Sequence, residues 1–539
     1  PRRVRHDLGE YYTPDWLAEL VLNEVGWTID AFEKKREEAG DDPLAPLDLR
    51  LLDPACGSGT FLVLAISRLR SYIEEHYISK RSALRRITKN IVGFDLNPLA
   101  VIASRTNYLI ALGDMLREKG AEPIEIPVYL ADSIMVEQRP TFYGSAAYIL
   151  RTVVGEFSVP MNIVERGVLS KVLSILEECV EGYTSQEFKE RLLREVPIEE
   201  PDLPFLIGLF ETVVRLEKEG KNKIWLRILK NSFAPLFKGK FHYVVGNPPW
   251  INWESLPESY RESTKSLWEW YRLLKRTKGM GLGKVKRDMA MLFVARCLDR
   301  YTADYGKFGF LLPFTVFKTQ AGAGFRTFLT RGMWIDENIK CPCNVLRVHD
   351  LSVLYPFEKA VNMTGMIVIE KKGATEFPIP CITWYNPKVK EMDKEIELEN
   401  VKKITRQFRL SLIPIEESRP ERPWMQITKK AYDGVKKIIG ENPWYRAYEG
   451  VNTALNQVYW VDIISEWDDS LLITNPPLPG QKKKVRQVKQ IIEKDLIYPL
   501  IRGRDVKKWY VIGEHSWIIV PHDPKTGKPF FCLLYTSDA

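Results

Sequence analysis

The chain has 539 residues, 45% hydrophobic and 11% aromatic, which is enough for two or three domains with large cores. Its net charge of +8 is modest and does not by itself indicate a nucleic-acid partner. No uncharged apolar run of about eighteen residues and no leader segment is present, and the seven cysteines are scattered, which argues against a membrane or secreted protein and predicts a soluble cytoplasmic one.

The first predicted element is a helix that follows Thr13. Its apolar positions recur at helical spacing, at Trp16, Leu17, Leu20, Val21 and Val25. Thr13 is suited to cap a helix whose first residue is Pro14. A helix ahead of the first strand could instead close over a bound ligand, and the sequence leaves both roles open.

A buried strand, a glycine loop and the beginning of a helix are predicted between Leu51 and Leu62. The third glycine of the dinucleotide fingerprint is missing, and no Gly-Lys-Ser/Thr follows, which excludes a P-loop. The ends of three successive predicted strands carry Asp53, Asp95 and Asp132. Strand-end carboxylates favour a ligand with amine and hydroxyl donors, such as S-adenosylmethionine, over one with phosphates. The alternative is that each aspartate caps the next helix.

The interval between Asp132 and Asn247 is far longer than a crossover of roughly a dozen residues requires. Apolar residues recur in it with a helical period, at Val168, Val172, Ile175 and Leu176 and again at Leu206, Leu209, Val213 and Leu216. We therefore predict a helical insertion over residues 133–237 that packs beside the sheet.

The most informative segment is Asn247-Pro248-Pro249-Trp250, which follows an apolar run that begins at Phe241. Asn247 offers its side-chain carbonyl and Pro248 its backbone carbonyl as acceptors, while Trp250 offers a face on which a base can stack. A planar amino group attacks an electrophile only when acceptors on its N–H groups favour a tetrahedral nitrogen. The segment therefore predicts methylation of an amino group, although taken alone it is more typical of a turn that ends a strand.

Two basic clusters follow this segment. The first extends to Arg287, includes Lys284 and is interleaved with aromatic residues and glycines; the second includes Lys483 and Arg486. Such clusters are typical of contacts with a phosphate backbone, and about as often they are only a solvated face. These four residues are the candidates for nucleic-acid contacts.

The last part of the chain differs in pattern from the rest. From about Lys371, short apolar runs are broken by prolines and polar turns, which predicts a separate, mixed domain. Cys341 and Cys343 are the only close cysteine pair, and without a second pair or a histidine at metal-ligand spacing they predict packing and no metal site. Because Pro1 is not a start residue and the chain stops soon after a strand-like run, we expect a fragment of a longer protein.

Four motifs in this order resemble the motif series of gamma-class DNA N6-adenine methyltransferases. They are Gly-Glu-Tyr-Tyr-Thr-Pro at residues 9–14, Asp-Pro-Ala-Cys-Gly-Ser-Gly-Thr-Phe-Leu at 53–62, Gly-Phe-Asp-Leu-Asn-Pro-Leu-Ala at 93–100 and Asn-Pro-Pro-Trp at 247–250. Within that class the chain is most similar to the large methylases of type IIG restriction-modification systems. The similarity continues at residues 287–293, 306–313 and 499–510, and so covers most of the chain.

The resemblance implies an α/β, Rossmann-like S-adenosylmethionine-dependent methyltransferase fold with a helical insertion and a C-terminal mixed α/β specificity domain. Residues 1–132 would form the cofactor half of the methyltransferase domain, and residues 238–370 the half that holds the target base. The helical insertion would occupy residues 133–237. Residues 371–539 would form the target-recognition domain, in truncated form.

The resemblance also implies roles for single residues. The cofactor would be bound by Tyr12, Thr13, Asp53, Ala55, Gly57, Gly59, Asp95 and Asp132. Among these, Thr13 and Gly57 would lie near its methionine part, Asp95 on the ribose and Asp132 on the adenine. Asn247, Pro248 and Trp250 would contact the target base, and Phe314 or Phe317 would hold the base from its other side.

The implied function is site-specific methylation of N6 of an adenine that is flipped out of double-stranded DNA, as the modification part of a restriction-modification system. Methylation of cytosine N4 is the nearest alternative, because its amino group is electronically similar. Methylation of a protein glutamine and a non-catalytic DNA specificity component are the other two. An upstream nuclease domain or a separate restriction subunit is left open.

Overall fold

The computed structural model describes residues 12–117, 124–135, 137–140, 146–152, 155–218, 224–274, 287–334, 339–357, 363–386, 392–393, 395–440, 444, 450–451, 453, 455–477, 485–512, 516–523 and 526–527. The chain divides into two units, Pro1–Ile439 and Gly440–Ala539.

The strands of the first unit form a central sheet, a three-stranded sheet and a two-stranded sheet. In chain order they are β1 (Leu51–Asp53), β2 (Ile91–Asp95), β3 (Val128–Leu130), β4 (Glu137–Pro140), β5 (Ala146–Thr152), β6 (Gly155–Pro160), β7 (Phe241–Gly246), β8 (Thr302–Pro313), β9 (Met333–Trp334), β10 (Ile339–Cys341), β11 (Cys343–Asp350), β12 (Thr364–Lys371), β13 (Ile379–Tyr385), β14 (Arg406–Pro414) and β15 (Trp424–Ile427). The two-stranded sheet is β10-β9.

The helices of the first unit lie before, between and after these strands. They are α1 (Asp15–Val25), α2 (Ile29–Glu38), α3 (Thr60–Glu75), α4 (Lys80–Asn90), α5 (Pro98–Leu112), α6 (Met161–Glu165), α7 (Leu169–Cys179), α8 (Ser185–Glu195), α9 (Leu203–Lys218), α10 (Ile224–Phe237), α11 (Glu258–Trp270), α12 (Met289–Arg300), α13 (Thr315–Lys318), α14 (Ala323–Arg331), α15 (Leu398–Ile404) and α16 (Lys429–Val435).

One mixed sheet organises the first unit, in the order β15-β14-β13-β11-β12-β8-β7-β1-β2-β3. The strands β3, β2, β1, β7 and β8 are parallel, whereas β12 runs antiparallel to both of its neighbours. The chain moves outward from β1 through β2 to β3 and then returns to the other side of β1 as β7. This reversal is the switch point at which α/β sheets bind ligands, and the predicted Rossmann-like fold class is confirmed.

Helix α1 packs directly on the sheet, and its start differs from the prediction. It begins at Asp15 with Pro14 at the N-cap, and no side chain caps it. The predicted capping role of Thr13 is therefore wrong, and the hydroxyl of this residue bonds elsewhere. A glycine in β8 permits the close approach of the helix: a Cβ on Gly309 would lie 2.4 Å from Cγ1 of Val25.

The insertion between β3 and β7 is only partly helical. It begins with a three-stranded antiparallel sheet, β4-β5-β6, and continues with α6 to α10. Of the apolar positions that predicted helices, Val168 is the N-cap of α7 and the others lie within α7 and α9. Their side chains pack in a second core with Tyr148 and Phe157 of the small sheet.

Residues 371–439 also differ from the predicted domain boundary. The strands β13, β14 and β15 extend the main sheet, and β13 pairs in parallel with β11. The first unit therefore continues to Ile439. Prolines near the beginning of β13, at Pro380, and at the end of β14, at Pro414, gave this region the broken pattern that suggested a new domain. Prolines are nevertheless compatible with the ends of outer strands.

The second unit is a small mixed structure. Its helix is α17 (Asn456–Tyr459), and its strands are β16 (Trp460–Glu466), β17 (Ser470–Thr474), β18 (Lys489–Glu493), β19 (Ile497–Leu500), β20 (Val506–Lys507), β21 (Tyr510–Val511) and β22 (Ser516–Ile519). Five of these strands form a sheet in the order β18-β17-β16-β22-β19, and β20 pairs with β21. Across the described ranges of the whole chain, no helix has both the length and the apolar character that a membrane crossing needs.

Replacing Gly309 with alanine tests the packing of α1 on β8. The new Cβ would overlap the stiff, β-branched Val25 side chain, so we expect Gly309→Ala to lower the free energy of unfolding by about 1–3 kcal/mol in urea denaturation. Gly208→Ala is the matched control, because this glycine lies inside α9 with open space around it, and here we expect a gain of about 0.5–1 kcal/mol. Equal effects of the two changes would contradict the close approach.

Candidate active site

The glycine loop and the Asn-Pro-Pro-Trp segment leave the sheet side by side. Strand β1 pairs in parallel with β7, so the segments that follow Asp53 and Gly246 emerge at the same edge. The two segments are in close contact there, since a Cβ on Gly246 would lie 2.9 Å from Oδ1 of Asp53. The two motifs that the sequence singled out, which are almost 200 residues apart, therefore form one site.

The glycine loop is shaped by two residues with positive φ. Gly57 has φ +52° and Gly59 has φ +89°, a region that residues with a side chain rarely adopt. A Cβ on Gly59 would also lie 2.5 Å from Oγ of Ser104, whereas the space beside Gly57 is open to 4 Å. The loop is thus packed at Gly59 and open at Gly57. Ala55 closes the first turn, its N–H donating to Oδ1 of Asp53 over 3.1 Å.

The carboxylate of Asp95 ties the glycine loop to the second strand. Its Oδ2 accepts a hydrogen bond from the N–H of Gly57 over 2.8 Å, and its Oδ1 accepts one from the N–H of Asn97 over 2.8 Å. Helix α5 is capped by Asn97, whose side chain accepts from the N–H of Leu99. The helix-capping alternative therefore does not describe Asp95, which orients the loop instead.

Asp132 is held at the end of the third strand by its own backbone and by a tyrosine. Its Oδ1 accepts from the N–H groups of Ile134 and Met135, at 2.8 and 3.0 Å, and the hydroxyl of Tyr260 donates to its Oδ2 over 3.3 Å. Burial raises the pKa of Asp132, and burial raises the pKa of Asp53 well above its usual range. Tyr260 comes from α11, and no motif in the sequence pointed to it.

Asn247 and Thr13 are joined by a hydrogen bond that the sequence did not predict. The side-chain Nδ2 of Asn247 donates to Oγ1 of Thr13 over 3.1 Å, and Thr13 is buried. Oδ1 of Asn247 is buried as well and has no hydrogen-bond partner in the described part of the chain. An unpaired buried carbonyl costs about 1–3 kcal/mol, which a ligand that donates an N–H would recover. Thr13 therefore leaves the Asn247 carbonyl as a ready acceptor.

Two other predicted residues flank this acceptor. Pro248 is buried, directly after Asn247. Tyr12 is 57% exposed, and its hydroxyl lies 3.4 Å from Oδ1 of Asp15. Its pKa is raised, first by burial and then by Asp15, while a hydrogen bond with the side chain of Thr60 acts in the other direction. That bond places Tyr12 beside the first residue of α3, where the glycine loop ends.

Trp250 borders a cavity of about 140 Å³ next to the Asn247 corner. The ring is 6% exposed and meets Phe357 edge to face, with ring centroids 5.2 Å apart. The rest of the cavity wall comes from Asn252, from Asp288 and Met291, and from residues between positions 313 and 322. Neither Phe357 nor Asp288 was predicted as a site residue, because the contacts that bring them beside Trp250 join segments that are distant in the sequence.

The two phenylalanines proposed for the far side of the base lie elsewhere. Phe314 and Phe317 are fully buried and in edge contact with each other. Phe317 stacks on Trp424, and the Phe314 ring is covered by Nζ of Lys318 at 4.7 Å. The short helix α13 turns both rings into the core directly after β8. The interpretation that either stacks on a base is therefore not compatible with this packing.

The candidate nucleic-acid contacts have different fates. Arg287 is 5% exposed, its Nη1 pairs with Oε1 of Glu254 at 2.9 Å, and its N–H donates to Oε2 of the same residue. The predicted phosphate contact thus lies in a buried ion pair. Arg486 is exposed in the second unit. Lys284 and Lys483 lie outside the described residues. Within the described ranges, no cluster of three or more His, Cys, Asp or Glu side chains could hold a metal ion.

Sequence comparison shows a similarity to a methylase family in this region. Residues 89–344, a span just under half of the chain, match the family model of the Eco57I restriction-modification methylase. This part of the chain is therefore similar to restriction-modification methylases. It includes the Asn-Pro-Pro-Trp segment and begins after the glycine loop. Among curated proteins, none matches the chain.

Several solved structures of restriction-modification enzymes are similar to the chain. A nuclease-deletion mutant of the type ISP enzyme LlaGI, in complex with a DNA substrate mimic, is 14% identical with a TM-score of 0.41, over 76% of this chain and 27% of that one. The ATP-dependent type ISP enzyme LlaBIII bound to DNA is 14% identical with a TM-score of 0.42, over 77% and 22%. A modification subunit of a putative type I restriction enzyme from Vibrio vulnificus is 11% identical with a TM-score of 0.35, over 79% and 61%. The chain thus spans about a quarter of the length of the two type ISP enzymes.

The Arg287–Glu254 pair gives a test of what Arg287 does. We expect Arg287→Ala to lower the free energy of unfolding by about 3 kcal/mol, because it leaves the Glu254 carboxylate unpaired with only 19% side-chain exposure. The double variant Arg287→Ala/Glu254→Ala should recover part of that loss in urea denaturation. Arg486→Ala, at an exposed position, is the control and should leave stability within about 0.5 kcal/mol. If Arg287→Ala left the stability unchanged and weakened DNA binding, the original prediction that Arg287 contacts phosphate would be supported instead.

Proposed function

We propose that this chain contains the catalytic part of an S-adenosylmethionine-dependent DNA methyltransferase that modifies N6 of an adenine flipped out of double-stranded DNA, in a restriction-modification system. One observation carries the proposal. The Asn247 carbonyl is buried, unpaired within the described residues and fixed by Thr13, at the sheet edge where the glycine loop also emerges. The methylase domain at residues 89–344 contains this corner.

The acceptors suit an exocyclic amino group. The nitrogen lone pair of such a group is delocalised into the ring, and two acceptors on its N–H groups favour the tetrahedral geometry in which the lone pair is available. Asn247 offers Oδ1 and Pro248 its backbone oxygen, and the proline rings keep the turn rigid and free of competing donors. Trp250 supplies the aromatic surface against which a flipped base can rest.

The residues beside the corner suit the methyl donor. When bound, S-adenosylmethionine supplies a methyl group on a sulfonium, which is already an activated leaving group. The open space at Gly57 would admit the methionine part, and Asp95 would accept hydrogen bonds from the ribose. Asp132 would accept one from the adenine amino group, with Tyr12 and Thr13 at the entrance. A carboxylate oxygen has two lone pairs, so an oxygen that accepts one hydrogen bond can accept a second from a ligand.

The transfer itself then depends on position more than on a strong base. Holding the amino nitrogen at near-attack distance converts the reaction into an effectively unimolecular one. None of the three residues proposed to contact the base ionises near neutral pH, so the proton of the amino group would pass to solvent after transfer. Asn247, Pro248 and Trp250 are accordingly assigned to orientation of the base.

The second unit is proposed to contact DNA. It presents a β-hairpin, β20-β21, whose turn carries Lys508 and Trp509, and Trp509 is 91% exposed. Exposed Arg504 and Lys507 are on or beside the same hairpin, as is Tyr510. Cationic side chains beside exposed aromatic rings suit phosphate contact and base stacking. The recognition role suggested for residues 371–539 would then lie in the part that follows Ile439.

Removing the Asn247 side chain tests the proposed chemistry. We expect Asn247→Ala to reduce methyl transfer to DNA by about 100-fold or more, while the dissociation constant for S-adenosylmethionine stays within about twofold. Labelled cofactor and base-resolution mapping would measure both rate and product, and N4-methylcytosine as the product would select the cytosine alternative. Asn400→Ala, on the exposed face of α15, is the matched control. Retention of most activity by Asn247→Ala would refute the role.

Replacing Thr13 separates two roles for this residue. Thr13→Val keeps the shape of the side chain but leaves Nδ2 of Asn247 unpaired, so we expect kcat to fall about 10-fold with unchanged cofactor affinity. Thr13→Ser retains the hydroxyl and should retain most of the activity. If Thr13 instead contacts the methionine part of the cofactor, as the family resemblance implies, Thr13→Val will weaken cofactor binding and leave the maximal rate nearly unchanged.

A further inference from the structure

The segment after Trp250 is fastened to the residues that precede α12. The N–H of Met289 donates to the carbonyl of Ile251 over 2.9 Å, and the N–H of Trp253 donates to the carbonyl of Arg287 over 2.7 Å. Asn252 and Asp288 face each other as an antiparallel bridge. These backbone bonds fix the position of Asp288 relative to the segment that follows Trp250. Asn252 and Asp288 both line the cavity that Trp250 borders.

Within the described residues, only one oxygen of the Asp288 carboxyl group has a hydrogen-bond partner. Asp288 is the N-cap of α12, and one of its oxygens, Oδ1, accepts from the N–H of Ala290 over 2.9 Å. No described residue hydrogen-bonds to the other oxygen. Burial raises the pKa of Asp288 to about 7, against the opposing effect of the Ala290 N–H, so both protonated and ionised forms exist near neutral pH. The nearest charged groups along these segments, Arg287 and Glu254, already neutralise each other.

We propose that Oδ2 of Asp288 donates a hydrogen bond to the ring nitrogen next to the target amino group, and so positions the base in this cavity. The proposal rests on the function proposed above and adds a base-contacting residue to it. Asn247 and Pro248 supply acceptors, which match the two N–H groups of the amino group, but they offer nothing to the adjacent ring nitrogen, which is itself an acceptor. A protonated carboxyl group supplies the missing donor.

This arrangement gives the pocket a chemical selectivity. Adenine presents an amino group beside N1, and cytosine presents one beside N3, so both match the pattern of acceptors and one donor. Guanine and thymine present a carbonyl and a protonated ring nitrogen in the corresponding positions, and would leave Asn247 and Asp288 with mismatched partners. Unpaired groups at a buried polar contact discriminate strongly between such substrates. Asp288 would therefore help to reject the wrong base once it is flipped.

The test combines a variant with a base analogue. Asp288→Ser keeps a good N-cap for α12 but is too short to reach the base, whereas Asp288→Asn keeps the cap and offers a permanent N–H donor. After base-resolution mapping has located the target adenine, each protein is assayed on duplex DNA with adenine or 1-deazaadenine there, the latter retaining the amino group but having C–H in place of N1. The substrate-specific rate constant, kcat/KM, is measured in each case.

We expect Asp288→Ser and the 1-deazaadenine substrate each to reduce kcat/KM by about 10- to 100-fold, and the two changes together to cause no further loss, because both remove the same hydrogen bond. Asp288→Asn should remain within about threefold of the unchanged protein and should lose the decline in rate that deprotonation of Asp288 causes above pH 7. The proposal would be overturned if the losses from Asp288→Ser and from 1-deazaadenine multiplied when combined, or if Asp288→Ser caused no loss of kcat/KM.

Two controls distinguish a wrong role for Asp288 from a wrong proposed function and from a variant that does not fold. If the unchanged protein methylates no DNA, the proposed function fails and not the role of Asp288 alone. If Asp288→Ser does not fold, as judged by thermal unfolding and cofactor binding, Asp288→Asn decides: a pH–rate profile identical to that of the unchanged protein would sink the proposal, and loss of the decline above pH 7 would support it.

Discussion

The parallel pairing of β1 with β7 is the constraint on which the site depends. It brings the turn after Asp53 and the corner at Asn247 to one edge of the sheet, so that a glycine cradle and an amide acceptor share a wall. The long insertion does not disturb this pairing, because it forms its own core and returns through α10 to the beginning of β7. Helix α1 adds the last part from outside the sheet by bringing Thr13 to the Asn247 amide.

The features that the sequence predicted are those whose cause is local. Gly57 and Gly59 have the positive φ values that the loop requires, and the aspartates follow their strands because the turn needs side-chain acceptors there. The Rossmann-like fold class could be predicted because the first strand, the glycine loop and the following helix are continuous in sequence between Leu51 and Leu62, and because the motif series resembles that of a known methyltransferase class. Asn247 could be singled out because its neighbours are rigid prolines, whose effect does not depend on distant contacts.

The features that the sequence did not predict depend on contacts between distant residues. Thr13 had a plausible local role as a helix cap, but its hydroxyl bonds to Asn247, 234 positions away. Arg287 lay in a basic stretch, yet the bridge between the 250–254 and 287–289 segments places Glu254 against it. Phe314 and Phe317 were aromatic residues near a suitable motif, and only the turn of α13 decides that they enter the core. Composition does not record such pairings.

The electrostatics of the site follow from its burial. Asp53, Asp132 and Asp288 all have raised pKa values, with burial as the largest cause, so the pocket resists the accumulation of negative charge. Under the proposed function the ligand brings a sulfonium and an ammonium, and a cation near such carboxyl groups favours their ionised form. A cation beside Asp53 and Asp132 would oppose the effect of burial and lower the pKa of both carboxyl groups. Asp288 lines the cavity that Trp250 borders, where the proposed contact with the base needs the protonated form. The methyl donor would thus favour ionisation of Asp53 and Asp132, whereas the base would favour the protonated form of Asp288.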